Sequence, residues 1–591
     1  MKNKIFSMAI LATGALTFAS CADQLDIPQK GVIPMEEYYE SEDEVTAALN
    51  NAYVNFMGNV FGRQPDLGGP GIYTPLKIIT NIPGDDLYYA SGNYGDHEFS
   101  GEINEFRYTT NSEPVKFQYA GLYQAIYTSN LVINNFDKAS NAIAKKSIAE
   151  ARVLRAYCYY LLANLWGNAP LVENTLSADA LPVVCAETPE EGRKLLLNFV
   201  AKECEAAVEN LSERADKTDK NGCVIVSKGF ANALAGKAWL QLNEYDKAKA
   251  DLKKVIDSGK YALVPTDKWS ENFHIEGDCN EEKVFELNLE YNTGVSGWGG
   301  MIQRSSWMEA NAWNWRAGNF KVNPAYVYCG IDGWGGLGVK QAFGDEFFAN
   351  DGHSVRFDES LVNVHDAIFG HAMTYASDAL NKMSEAELLA SDEVGISDAT
   401  QGLYGNSFWL QKKWLMRAND TDGNKYGTNI RLNNYVVLRY AEVLLDYAEA
   451  CVQSGDVASA KTYINMIQQR AGSKTISGTV DFETVKKERH YELFLENSRW
   501  IDIMRWNDAK AIAEIEKNGT DVPHVYDKMF REPKSGEKVT WHSDGRLYTV
   551  ATQAAKDAGI EVGFKKGKHE FFPFPENVIM KNPKLKQHNG W

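Results

Sequence analysis

The densest group of potential acid and base residues is the stretch from Glu488 to Arg505, which holds Glu488, Arg489, Glu492, Glu496, Arg499, Asp502 and Arg505. On a helix, carboxylates four apart line one side, and Arg499, Asp502 and Arg505 follow at spacing three, so the pattern reads as ion pairs that hold structure. Leu438-Arg439-Tyr440 and Glu442 read the same way, as helix packing and cross-helix hydrogen bonding. Asp420, Asp422 and Asn424 alternate like an oxygen-ligand loop, but Lys425 stands where a calcium loop needs Gly and Arg431 where it needs Glu. A solvated turn is the expected structure there. The ten His form no H-E-x-x-H and no H-x-H. Gly294-Val-Ser-Gly-Trp298 lacks the final Gly of a nucleophile elbow, and there is no Walker A sequence. Paired carboxylates for glycoside cleavage depend on separation in space and cannot be read from spacing. The sequence therefore nominates no catalytic residue, no metal site and no cofactor.

Aromatic side chains give the stronger signal. Trp298, Trp307, Trp313, Trp315 and Trp334 place five of the 14 Trp within 37 residues, with Tyr326 and Tyr328 between them. Gly297, Gly299, Gly300, Gly333, Gly335 and Gly336 flank them and favour turns over helix. A second aromatic-polar stretch holds Asp85, Asp86, Tyr88, Tyr89, Asn93, Tyr94 and His97. Flat rings pack on the C–H faces of pyranoses, while Asn, Asp and Arg hydrogen-bond the hydroxyls, and Trp offers large contact area at small entropic cost. The candidate ligand-binding residues are Trp298, Trp313, Trp315, Trp334, Tyr88 and Tyr94. About half of the Trp are expected to pin loops to a scaffold instead, with two or three left at a ligand surface.

The N-terminus carries a separate signal. Lys2 and Lys4 precede an apolar run from Ile5 to Phe18, too short for the roughly 20 residues a spanning helix needs. It reads as a secretory leader. Leu16-Thr17-Phe18-Ala19-Ser20-Cys21 then resembles a bacterial lipobox, whose cysteine is acylated and becomes the first mature residue; a soluble exported protein with a chance cysteine is the alternative. Formal charge is −18, and loss of Lys2 and Lys4 makes it more negative, which disfavours nucleic acid. The other cysteines, Cys158, Cys185, Cys204, Cys223, Cys279, Cys329 and Cys451, form no C-x-x-C. Export would permit disulfides, but spacing names no partners. Cys158, Cys204 and Cys451 fall in helical patterns and read as core.

The elements that must position these residues are mainly helices. Ser41-Glu42-Asp43-Glu44 is a capping box, followed by Val45, Ala48, Leu49, Ala52 and Phe56 at helical spacing. Further helices are predicted over 117–136 and 146–165, the latter stopped by Gly167 and Pro170. Asn243-Glu-Tyr-Asp-Lys-Ala248 through Leu252 and Val255 matches Gly455-Asp-Val-Ala-Ser-Ala460 through Ile464 and Ile467 at a constant offset of 212, with Gly236 and Ala448 in the preceding helices. Helix, tight polar turn, helix is the tetratricopeptide pattern, with chance similarity of two amphipathic helices as the alternative. From about 280 to 432, and again from 517 to the end, Gly, Asn, Asp and Trp replace helical periodicity, which predicts long loops with short strands.

Several segments together are similar to one family: Ala149-Glu-Ala-Arg-Val-Leu-Arg-Ala-Tyr leading to Trp166-Gly-Asn-Ala-Pro; Leu438-Arg-Tyr-Ala-Glu-Val-Leu-Leu-Asp-Tyr-Ala; Glu488-Arg-His-Tyr-Glu-Leu-Phe-Leu-Glu-Asn-Ser-Arg-Trp; Phe572-Pro-Phe-Pro-Glu-Asn; and the closing Gln587-His-Asn-Gly-Trp. With the lipobox, this ordered set resembles the SusD/RagB family of outer-membrane nutrient-binding lipoproteins of Bacteroidetes. Asn497 stands where the family usually has Gly. The resemblance implies a mainly α fold, a SusD-like superhelix of tetratricopeptide-like helix pairs with a loop-rich variable half. It implies a signal peptide over 1–20, an N-terminal helical part over 21–280, a variable ligand-binding region over 281–432 and a C-terminal part over 433–591. It implies no enzyme, but a surface lipoprotein acylated at Cys21, anchored in the outer membrane and facing the exterior. Such a protein captures oligo- or polysaccharide and delivers it to a SusC-like TonB-dependent transporter. Some relatives bind peptides instead, and an exported glycoside hydrolase is the reading from another class. The family's ligand contacts come from variable loops, so no site residue transfers by motif.

Overall fold

The computed structural model describes residues 41–62, 75–90, 98–136, 141–177, 179–288, 313–321, 332–370, 375, 377–397, 403–421, 431–520, 522–525, 547–548, 559 and 561–591. Cys21, Tyr94, Trp298, Trp307, Tyr326, Tyr328 and the leader fall outside them.

Helices dominate, as expected. The capping box at Ser41 opens α1 (Glu42–Phe56): the Ser41 hydroxyl accepts from Glu44 N, and the Glu44 carboxylate accepts from Ser41 N at 2.7 Å. The helix α2 (Pro75–Asn81) is short and buried throughout. Next come α3 (Glu113–Asn135) and α4 (Ala142–Trp166), each a few residues longer at the N-terminal end than periodicity predicts. Helix α5 (Pro189–Ala207) has a second capping box, Thr188 with Glu191.

The internal repeat becomes two stacked helix pairs. Helices α6 (Lys228–Gln241) and α7 (Tyr245–Asp257) form the first pair; α9 (Tyr440–Gln453) and α10 (Val457–Ala471) form the second, and α7 packs against α9. Between them in sequence lies α8 (Gln341–Asp351). Equivalent positions match: Ala248, Leu252 and Val255 are buried, and so are Ala460, Ile464 and Ile467. The turn residues Asn243 and Gly455 both have positive φ, 62° and 85°, which Gly and Asn tolerate best. A Cβ on Gly236 would lie 2.6 Å from Leu252 Cγ, so the glycine lets α6 and α7 approach closely.

The chain between the pairs leaves and returns at one place. Strand Lys283–Leu287 runs antiparallel to Tyr435–Arg439, with Lys283 opposite Arg439 and Leu287 opposite Tyr435. Tyr440 N, at the start of α9, donates to Glu282 O at 2.7 Å. The loop-rich half is thus an excursion from the helical stack, closed by a two-stranded clasp.

Buried charge ties the two halves together. Helix α11 (Phe482–Glu492) carries Glu488, Arg489 and Glu492, and α12 (Arg499–Trp506) follows. Glu492 accepts from Arg470 at 2.5 Å, Arg439 at 2.6 Å and Arg356 at 3.1 Å. Arg439 also meets Glu282 at 2.7 Å and Glu496 at 2.6 Å, and Arg356 meets Glu488 and Asp351. A second cluster joins Arg489 to Asp446 and Asp502, and Arg505 to Asp502 at 2.7 Å and Glu449 at 2.5 Å. The expected structural ion pairs are present, but they run mostly between elements and not along one helix.

Burial alone would push the Asp502 carboxyl up, but Arg489 and Arg505 outweigh it and hold the group down at about 2. A carboxyl depressed on folding stabilises the native state above its unfolded pKa near 4 and loses that contribution as pH falls toward 2. Asp502→Asn should therefore cost about 2–3 kcal/mol at pH 7, the linkage value of a carboxyl held at about 2, while Arg489 and Arg505 keep Asp446 and Glu449 as partners. Urea unfolding read between pH 7 and pH 2 should show a shallower fall in stability below pH 4 for the variant than for the parent.

Candidate functional site

The described candidate residues converge on one region because short strands and side-chain pins bring their segments together. Strand Leu87–Tyr89 pairs antiparallel with Leu337–Val339, placing Tyr88 opposite Gly338. A Cβ on Gly338 would fall 1.9 Å from Gly405 O, so only glycine lets that third segment pass behind Tyr88. Ala90 N donates to Gly336 O at 3.3 Å, carrying the pairing toward Trp334. Residues 313–320 join through Gly333 N to Trp315 O at 3.0 Å and Gly335 N to Asn314 O at 2.8 Å. Asn314 in turn exchanges two hydrogen bonds with the Met416 backbone, at 3.0 and 2.8 Å.

Depth separates the four aromatics. Trp315 is buried, its Nε1 donating to Gln411 O at 2.8 Å, and it packs in a small apolar cluster with Phe320, Ile368, Phe369 and Leu410. Trp313 is buried in the main core, and its backbone carbonyl accepts from Gln411 Nε2 at 2.6 Å. Both are loop pins in this structure. Tyr88 and Trp334 are half-buried. Lys340 Nζ lies 5.5 Å from the Tyr88 ring and donates to Asn518 at 2.5 Å; burial pushes its ammonium down to about 8.

Several polar residues do not serve as the sequence suggests. Asp85 is held by Arg499 through two hydrogen bonds of 2.6 Å, and buried Asp86 lies 3.3 Å from His490 Nε2. Tyr89 is core. Asp86 and Tyr89 are buried, and Asp85 is tied to Arg499 at the edge of a cavity of about 210 Å³, placements that spacing does not reveal. Asp420 is likewise buried and not in a solvated turn. Its carboxylate meets His274 Nδ1 at 2.8 Å and accepts from Ile275 N at 2.9 Å and Arg417 N at 2.8 Å. Burial raises its pKa, and His274 with the two amides more than offsets that.

Sequence reasoning missed the groups beneath the site. Trp313, Trp414, Gln411, Lys77 and Lys413 line a cavity of about 20 Å³, room for a water but not for a sugar ring. Lys413 donates to Glu496 at 2.6 Å and to Glu492 O at 2.9 Å, and burial pushes its ammonium down to about 8. The site's floor is thereby wired to the buried charge network. A groove of about 470 Å³ between α3 and the C-terminal segment, lined by Tyr119, Tyr123, Tyr127, Leu176 and Val578, contains none of the candidate residues. Among the described residues, no helix is long and apolar enough to cross a membrane.

Fold and site together define a helix-pair scaffold that carries an aromatic-bearing, loop-rich excursion. A family model described as the SusD family matches residues 305–591, and one described as starch-binding associating with outer membrane matches residues 84–212. The chain belongs to the SusD family. It is 24% identical over 527 residues to a SusD-like protein of Bacteroides ovatus, covering 86% of this chain and 83% of that one. It is 23% identical over 585 residues to the starch-binding protein SusD of Bacteroides thetaiotaomicron, covering 89% and 95%. Among solved structures, a laminarin-binding SusD-like protein shares the fold with a TM-score of 0.68, at 19% identity over 94% of this chain and all of that one.

Family membership explains Asn497. It has φ of 63°, a conformation in which Asn is the best substitute for Gly. Its side chain then bonds Asn81 at 2.9 Å and the Tyr435 hydroxyl at 2.9 Å, using the position to link α2 to the clasp strand.

The depth difference is measurable. Trp315→Ala should cost about 3–5 kcal/mol of stability, the usual range for a buried Trp. Trp334→Ala should cost about 1 kcal/mol or less. Chemical unfolding of both variants under one condition checks the ranking.

Proposed function

We propose that this chain is a non-catalytic glycan-capturing lipoprotein of the outer membrane, acylated at Cys21 and facing the exterior, that delivers oligo- or polysaccharide to a SusC-like TonB-dependent transporter. The observation that carries the reading is the pairing of family membership with two half-buried aromatics on adjoining segments, Trp334 on the excursion and Tyr88 on the strand that pairs with it. Relatives described as binding laminarin, laminarihexaose and starch support carbohydrate as the ligand class. The excursion over 281–432 is then the ligand-binding region, with the helical parts on either side as scaffold. The most suggestive acids fit a binding role, because Glu488, Glu492, Glu496 and Asp502 are all engaged in buried ion pairs.

Tyr88→Ala and Trp334→Ala should each weaken glycan binding by about 1–3 kcal/mol, by analogy with base stacking and interface hot spots. At about 1.4 kcal/mol per decade, that is roughly five- to 140-fold in affinity. A glycan array and a peptide pool probed with the same purified protein test the ligand class. Binding confined to peptides, or turnover of a polysaccharide by the pure protein, overturns the reading. For the anchor, Cys21→Ala should abolish incorporation of labelled fatty acid and release the protein from the membrane fraction. Undiminished labelling would remove the lipoprotein assignment.

A further inference from the structure

Cys158, Cys204 and Cys451 are packed in the core, as their helical setting predicts. Cys223 and Cys279 are placed differently. Cys223 ends the short turn Asn221–Cys223 ahead of α6, and Cys279 lies in the turn ahead of strand Lys283–Leu287. Though 56 positions apart in sequence, their Sγ atoms and a Glu286 carboxylate oxygen lie within 4.8 Å of one another.

Both turns are held in register by one buried side chain. The Arg214 guanidinium donates to Asp219 O at 3.1 Å and Lys217 O at 3.2 Å on one side. On the other it reaches Cys279 O at 3.3 Å, Asn280 O at 3.1 Å and Lys283 O at 2.9 Å. Asp219 then accepts from Asn221 N and Gly222 N at 3.0 and 3.1 Å, fixing the turn that carries Cys223. Cys279 itself sits at φ of 60°, where Gly or Asn would fit at less cost, so a cysteine there implies a use for its side chain.

We propose that Cys223 and Cys279 form a disulfide that clasps the lead-in of the first helix pair to the strand from which the excursion departs. The chemistry favours this over a metal. Glu286 Oε1 already accepts from Cys279 N and Asn434 Nδ2, both at 2.6 Å, and Lys283 Nζ stands 3.9 Å from Oε2. That leaves two thiols and an engaged carboxylate beside a cation, a poor set for tetrahedral zinc. Cys223, burial and the Glu286 charge all push the Cys279 thiol up, which keeps it protonated and further disfavours its use as a thiolate metal ligand. Closure proceeds by exchange with a small-molecule or protein disulfide. The half-buried Cys279 loses its proton and attacks, expelling one thiolate. Cys223 then loses its proton and attacks Cys279 Sγ, expelling the second, so two electrons reduce the oxidant to two thiols and one S–S bond forms.

The test is peptide mapping of the purified full chain after equilibration in a buffer of reduced and oxidised glutathione. It is independent of the proposed function, because the buffer supplies the oxidant. The expected result is a Cys223–Cys279 linked peptide that disappears on reduction and in Cys223→Ser or Cys279→Ser. Reductant should lower the melting temperature by a few degrees in the parent and leave the Cys223→Ser/Cys279→Ser double variant unmoved. Alkylation of both thiols without reduction overturns the proposal. So does a linkage of either to Cys329, or stoichiometric zinc whose removal by a chelator exposes both thiols.

Discussion

The contact on which the rest depends is the buried Glu492 carboxylate, which faces Arg356, Arg439 and Arg470 at once. Those three guanidiniums come from the excursion, from the clasp strand just before α9 and from α10, so one side chain joins three regions. A buried carboxylate with one such partner would be costly; with three, burial is outweighed and its pKa is held well below the ordinary range. The wider cluster sets five carboxylates, Asp351, Glu282, Glu488, Glu492 and Glu496, against four cations, Arg356, Arg439, Arg470 and Lys413. Burial raises the Glu488 pKa, opposed by the Arg356 guanidinium and by Gln468 Nε2, which donates to the carboxylate at 2.8 Å. Such a cluster contributes specificity more than raw stability, because any misplacement leaves a charge stranded.

From that cluster the path to the site is short. Lys413 reaches Glu496 and the Glu492 carbonyl with its ammonium, while its residue lines the same small cavity as Trp313 and Trp414. Gln411, two positions earlier, accepts from the Trp315 indole and donates to the Trp313 carbonyl. The floor of the candidate site is thus rigid by construction. Half-buried Tyr88 and Trp334 stand on elements anchored to it, so under the proposed role little entropy would be lost when a flat ring meets a ligand.

How much of this was legible in the sequence depends on the range of the interaction. The capping box at Ser41 and the repeat at offset 212 involve neighbours within a turn or an element, and the helices form where such local signals put them. Asn243 and Gly455 even share their positive φ. The expectation that Glu488 to Arg505 would be structural was sound, yet the partners Arg356, Lys413 and Glu282 lie far off in sequence and carried no local mark. Depth was the least legible quantity. Composition placed Trp313, Trp315, Tyr88 and Trp334 in one group, but only packing against Gln411 and Met416 decides that the first two are pins. Asp420 was misplaced for the same reason: a short polar residue near Gly and Tyr looks solvated until a His from another element claims it, as His274 does here.

The pins also account for how such a scaffold can carry different loops. Trp315 is held through the Gln411 carbonyl, Asn314 through the Met416 amide and carbonyl, and Gly333 and Gly335 through the carbonyls of Trp315 and Asn314. Each of these bonds has a main-chain group on at least one side, and a main-chain group persists whatever residue occupies the position. Side chains on the same segments that take no part in these bonds are under less constraint from them. A segment built this way can exchange its exposed rings without loosening its attachment, provided the buried indole and amide remain. The constraint falls on the inward residues and the latitude on the outward ones.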